Sequence, residues 1–173
     1  MLIAAVRDSA TAANKNHLSL FNNGGDPLEI WRVEVIPHYD ATVTGTGTTH
    51  YLHRTTGLGT GGTPAVVRKS NNRGRPVPSS LQVQANVTLS PAAETELAGI
   101  AVSVEETGTA VGASKDELFQ ADPPRGIDPI VLWSGEGVVV RQAGLAGGGE
   151  ISVFIYLRPM EKGARRALRH RLD

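Results

Sequence analysis

The chain has 173 residues, 17 of them basic and 17 acidic, with 20 glycines, 10 prolines and no cysteine. That size is enough to bury one core without metal or disulfide support, and the missing thiols exclude a disulfide framework, a cysteine nucleophile and a cysteine-ligated zinc. The balanced charge is unevenly spread: residues 1–157 hold 11 basic and 15 acidic groups while residues 158–173 hold 6 and 2, so a mildly acidic body carries a basic tail.

In chain order, Met1–Val6 is apolar but too short for a signal-peptide core, and no basic segment precedes it. No apolar run reaches the roughly 18 residues that would span a bilayer, so the expectation is a soluble protein outside the general secretory route. Residues 1–16 are expected to form an N-terminal arm or an edge strand followed by a loop. His17–Asn22 reads as a strand ending in the turn cluster Asn22-Asn23-Gly24-Gly25-Asp26-Pro27. Leu28–Pro37 is the longest strand candidate, with Trp31, Val33 and Val35 facing one way and Arg32 and Glu34 the other. These two strands are expected to pair as a hairpin. Residues 42–48 read as a loop or weak strand, Tyr51–Thr56 as a strand, Gly57–Gly62 as a flexible loop and Ala65–Lys69 as a short strand. Prolines at alternate positions make Ser70–Ser80 an exposed connection.

Two alternating strands follow, one carrying Val83, Ala85, Val87 and Leu89 on one face, the other Ile100, Val102 and Val104. Between them Pro91–Leu97 has room for one helical turn. Ser114–Gln120 carries the signature of a short helix, with Ser114 as cap and Glu117 three residues on. Asp128–Leu157 then reads as three strands joined by tight turns. In the last, Ile151, Val153, Ile155 and Leu157 share one face, and Ser152, Phe154 and Tyr156 the other. Eight to ten strands with one wet face each imply an all-β antiparallel sandwich, jelly-roll or related Greek key, over residues 17–157. Apart from a short helix in the C-terminal tail, 158–173, little helix is expected.

Catalytic and metal constellations are weak. His50 and His53 stand three apart, with His38 and Asp40 nearby, but positions three apart on a strand face opposite ways. No Glu follows His50, and the cupin ligand pattern is missing, so these read as surface histidines and no metal is expected. Gly57–Gly62 looks like a phosphate cradle, yet Pro64 and Val66-Val67 follow it instead of a helix N-terminus; it reads as a mobile hairpin loop. Ser134 lacks the preceding glycine of a nucleophile elbow. Glu94/Glu96 and Glu105/Glu106 read as exposed rims, and Trp31 and Trp133 as core. The reading is a non-enzyme with no catalytic residue and no cofactor. If the tail is helical, Met160, Ala164, Leu168 and Leu172 make an apolar stripe flanked by Lys162, Arg165, Arg166, Arg169 and Arg171. Those five cations are the candidate docking residues toward an acidic protein neighbour; a solvated tail is the alternative.

The segments HLSLFN, LEIWRVEV, TPAVVRKSNN, SGEGVVVRQ and ISVFIYL, in this order over residues 17–157, resemble small virion structural proteins of tailed bacteriophages. The resemblance implies a jelly-roll or β-sandwich subunit, homotrimeric, that decorates or cements a capsid, with the neck or tail as the other location. It also implies the major capsid protein or another virion protein as partner, and assembly into the virion in the host bacterial cytoplasm. No catalytic residue or cofactor comes with it, and neither nucleic acid nor membrane is an expected partner. The competing reading is a receptor- or carbohydrate-binding module, which needs exposed aromatics on a concave face; Tyr39 and Tyr51 are its candidates.

Overall fold

Period-two runs of β-branched and aromatic residues form strands because their side chains pack well on a pleated surface. The computed structural model describes residues 1–9, 14–38, 47–70, 76–88, 94–103, 116–143 and 149–160. Among these it places twelve strands: β1 (Leu2–Ser9), β2 (Asn16–Asn22), β3 (Leu28–His38), β4 (Gly47–Thr55), β5 (Thr63–Pro64) and β6 (Val67–Lys69), then β7 (Leu81–Val87), β8 (Glu94–Ser103), β9 (Asp116–Gln120), β10 (Ile130–Leu132), β11 (Glu136–Ala143) and β12 (Glu150–Pro159). They form two six-stranded antiparallel sheets. The first runs β10-β3-β12-β1-β6, with β9 sharing the outer edge of β3, and the second runs β5-β7-β2-β11-β4-β8. The fold is all-β, a jelly-roll-like sandwich, as the alternation implied. Leu18, Leu20, Leu52, Val138 and Val140 from one sheet meet Ile30, Val33, Val35, Val153 and Ile155 from the other, all fully buried. Each such side chain contributes about 1.5–3 kcal/mol on burial.

Every ladder among the described residues joins strands that are not consecutive in the chain. The expected hairpin of β2 with β3 is therefore replaced by a corner. β2 pairs with β7 and β11, while β3 pairs with β12, β10 and β9. The reason lies in the faces: Leu18 and Leu20 must meet Leu28 and Ile30 across the core, not beside them. Gly24 and Gly25, at φ of 105° and 82°, supply the left-handed turn that carries the chain across. The three strands expected between Asp128 and Leu157 are present, but β10, β11 and β12 alternate between the sheets.

Two helical expectations are corrected. Glu94–Leu97 is extended as the start of β8, and Asp116–Gln120 is the strand β9 along β3. A helix of one or two turns is marginal in water, whereas the open edge of β3 offers a ladder to complete. A single 3-10 turn, Pro123–Arg125, is the one helical element among the described residues. The segment expected as an arm or edge strand contributes β1, which runs between β12 and β6 with Leu2 and Ala4 in the core.

Both tryptophans expected in the core are only partly buried. On β3, Ile30 pairs with Leu157 and Arg32 with Tyr156, so Trp31 is the extra residue of a β-bulge. The bulge changes the parity of the strand: Leu28 and Ile30 face inward before it, Val33 and Val35 after it. Trp133 stands in the turn that follows β10.

The Gly57–Gly62 segment is not a hairpin loop but a strap over the outer face of the second sheet. The Gly59 N–H donates to Ser19 Oγ at 3.1 Å, and Thr60 O accepts from the Thr88 N–H at 3.1 Å. A Cβ on Gly62 would lie 2.5 Å from Ala85 O, while one on Gly57 meets nothing within 4 Å. Gly62→Ala should therefore lower stability by about 1–3 kcal/mol through overpacking, and Gly57→Ala should fall within about 0.5 kcal/mol of wild type. Paired thermal melts check this; equal midpoints for the two variants would remove the strap from the account.

Candidate functional site

The ends of β1, β3, β7, β8 and β11 and the starts of β2, β4 and β12 gather at one end of the sandwich. There the layer between the sheets turns from apolar to polar. On β2, Leu18 pairs with Val140 and Asn16 with Arg141, so His17 is a bulged residue, and it lies with no solvent exposure. Its Nδ1–H donates to Asp8 Oδ2 at 2.8 Å, and its Nε2 lies 3.1 Å from the side-chain oxygen of the fully buried Gln142. Lys15 Nζ donates to the other Asp8 oxygen at 2.7 Å. Asn86, at φ of 55°, aims its amide at both Asp8 oxygens when its NH₂ is placed to donate.

The His50 ring stands 5.9 Å from that of His17. Its Nε2 lies 3.1 Å from Thr48 Oγ1, while its buried Nδ1 has no partner. Burial raises the Asp8 carboxyl, but hydrogen bonds from His17 and Lys15 outweigh it and hold the group below its ordinary value. Burial, reinforced by the neighbouring charge of His17, pushes His50 down to about 4.

The arrangement is a buried ion-pair and hydrogen-bond cluster that ties β1 of one sheet to β2 and β11 of the other. His17 faces a carboxylate and an amide, and the Thr48 hydroxyl is engaged with His50. His17, His50 and Gln142 are at most 1% exposed, so these three side chains meet no solvent while the cluster is closed. Among the described residues no three His, Cys, Asp or Glu side chains converge as metal ligands.

A second polar array covers the outer face of the first sheet, along β3 and β12. Arg158 donates to Glu29 at 2.6 Å and lies 4.2 Å above the Trp31 ring, whose Nε1–H also donates to Glu29. Arg32 lies 5.5 Å over the Tyr156 ring and pairs with Glu34 and Glu117, and the Tyr156 hydroxyl donates to Glu34 at 2.8 Å. These aromatic faces are occupied by guanidinium groups, so a sugar could stack there only by displacing an arginine.

No family model, curated protein or solved structure matches the chain.

The five candidate docking residues, Lys162, Arg165, Arg166, Arg169 and Arg171, lie outside the described residues, as do Tyr39, Asp40 and the expected tail helix. The root of the tail is described. Met160 is 1% exposed and its N–H donates to Pro27 O at 2.8 Å, so this residue belongs to the core and not to an apolar stripe on the tail. His50 and His53 do face opposite ways, but His50 is interior rather than at the surface. His53 and Tyr51 meet edge-on at 5.8 Å on the outer face of the second sheet, and His38 lies 2.9 Å from Ser152 Oγ. Sequence reasoning missed Asp8, His17 and Gln142. The available signal was that Asp8 and Lys15-Asn16-His17 bracket one short connection, which brings them together once that connection crosses between sheets.

Proposed function

We propose that this protein is a non-enzymatic structural subunit of a tailed-phage particle, attached to the capsid shell as a decoration or cementing protein. The observation that carries this reading is the anchored residue, Met160, from which the basic segment starts. Met160 is locked into the core at the end opposite the polar cluster, so the cations beyond it start from a fixed point on a rigid block. A segment rooted in this way loses less freedom when it docks on an acidic protein surface than one that begins as a loose end. Several copies held together would add their separate contacts as avidity. Subunits that bridge adjacent capsomers would stabilise the assembled shell by mass action.

The test is co-sedimentation of the purified chain with expanded capsid shells, with and without residues 161–173. The full chain should bind and raise the melting temperature of the shells, and the shortened chain should bind at least about tenfold more weakly, near 1.4 kcal/mol. Shells that pellet without the full chain would reject the proposal.

A further inference from the structure

Sheet edges expose unpaired N–H and C=O groups, and natural sequences blunt them with short strands, prolines, cations or a covering turn. Three of the four edges of this sandwich are treated so. At one edge of the first sheet, β9 and β10 are short, and the Pro123-Pro124 turn between them closes through the Asp122–Ile127 bridge. The other edge is β6, three residues long and bearing the exposed Arg68 and Lys69. The second sheet begins with β5, two exposed residues of which one is Pro64.

The fourth edge, β8, is different. It is ten residues long; Glu94, Glu96 and a bulge at Leu97 confine the protection to its first part, and from Ala98 to Ser103 it has no charged residue and no proline. Among the described residues its outer edge pairs with nothing. Leu97, Ala98 and Ile100 pack against the core yet stay partly exposed, and Gly99 and Ala101 are exposed. We infer that β8 is an assembly edge that pairs antiparallel with β8 of a second copy of this chain, about a twofold axis at Gly99.

Charge favours antiparallel over parallel pairing, and a twofold at Gly99 is a register that satisfies it. Leu97 is the extra residue of a bulge in the β4 ladder, so the regular stretch starts at Ala98. Under a twofold at Gly99, Ala98 falls opposite Ile100 of the second copy, and Glu96, beyond the bulge, lies on the side of position 102, a valine. No glutamate then meets its own copy, whereas parallel in-register pairing would set Glu96 against Glu96, a destabilising like-charge contact. Ala98 and Ile100 pair with Leu52 and His50 of β4, which face the core. Opposed residues of an antiparallel pair share a face, so the pairing extends the core across the junction and makes one continuous sheet from two copies.

The experiment is the solution mass of the full chain by light scattering at high micromolar concentration, beside Ala101→Lys, an exposed position where a cation blunts the edge. Wild type should have twice the 18.3 kDa chain mass, and the variant should keep its far-UV spectrum while its dimer dissociation constant rises by at least about tenfold. Hydrogen exchange at residues 96–102 should slow as wild-type concentration rises and should stay unchanged in the variant. A wild-type monomer, a threefold mass, or a dimer indifferent to Ala101→Lys would each overturn the inference.

Discussion

Asp8→Ala should remove about 3–5 kcal/mol of unfolding free energy, the usual cost of breaking a buried ion pair by deleting one partner. Asp8 is 7% exposed and receives Lys15, His17 and the Asn86 amide. Without the carboxylate, the fully buried His17 loses its Nδ1 partner and Lys15 is left at a half-dry site. Against a total stability of about 5–15 kcal/mol, such a loss brings the fold close to its limit. Asp8→Asn, which keeps the shape and one acceptor oxygen, should cost less. Urea titration at neutral pH reads both. A loss below about 1 kcal/mol for Asp8→Ala, the range of an exposed pair, would mean that the cluster does not hold the sheets. Because the folded carboxyl lies below its ordinary value, its contribution is complete above the unfolded value of about 3.9 and disappears as pH falls through the folded value.

His50 acts in a different window. In the unfolded chain an imidazole takes up its proton near 6.5, whereas in the fold His50 does so only at about 4. Between those values the unfolded state binds the extra proton, so stability is full above about pH 6.5 and falls progressively toward pH 4. The separation corresponds to about 3 kcal/mol by linkage. The wild-type urea midpoint should therefore drop steeply between pH 7 and pH 4.5, and His50→Leu should flatten most of that drop whatever its stability at pH 7. His17 is the titratable group that faces His50 directly, 5.9 Å away on β2. A wild-type midpoint that stays level across this range would show that His50 takes its proton without strain.

Sheet faces were the most legible part of the sequence. β12 keeps Ile151, Val153, Ile155 and Leu157 inward as its alternation indicated, and β7 does the same with Val83, Ala85 and Val87. Alternation is visible because each sheet has one wet face, and a period-two pattern is the direct imprint of that asymmetry. Bulges leave no such imprint. One added residue at Trp31 reverses the sense of everything before it, and no residue type announces the addition. The same event at His17 turned a nominally ordinary strand residue into the centre of a buried cluster. The Ser114 and Glu117 capping pattern was a sound local signal, overruled by the open edge of β3, a partner far away in the chain. The cluster itself draws Asp8, His17, His50 and Gln142 from four strands, and spacing along the chain cannot reveal that meeting before the crossings are known.

The centre of each sheet comes from the C-terminal part of the described chain. β12 lies between β1 and β3, and β11 lies between β2 and β4. During synthesis, the strands made first emerge from the ribosome with no immediate partner, because no two consecutive strands among the described residues are neighbours in a sheet. Neither sheet can close until residues 136–159 have been made. A fold so dependent on distant closure belongs among the slow folders, in the millisecond-to-second range, and its incomplete chains present unpaired apolar strands for that whole interval. Completion of the fold is thus governed by the arrival of β11 and β12.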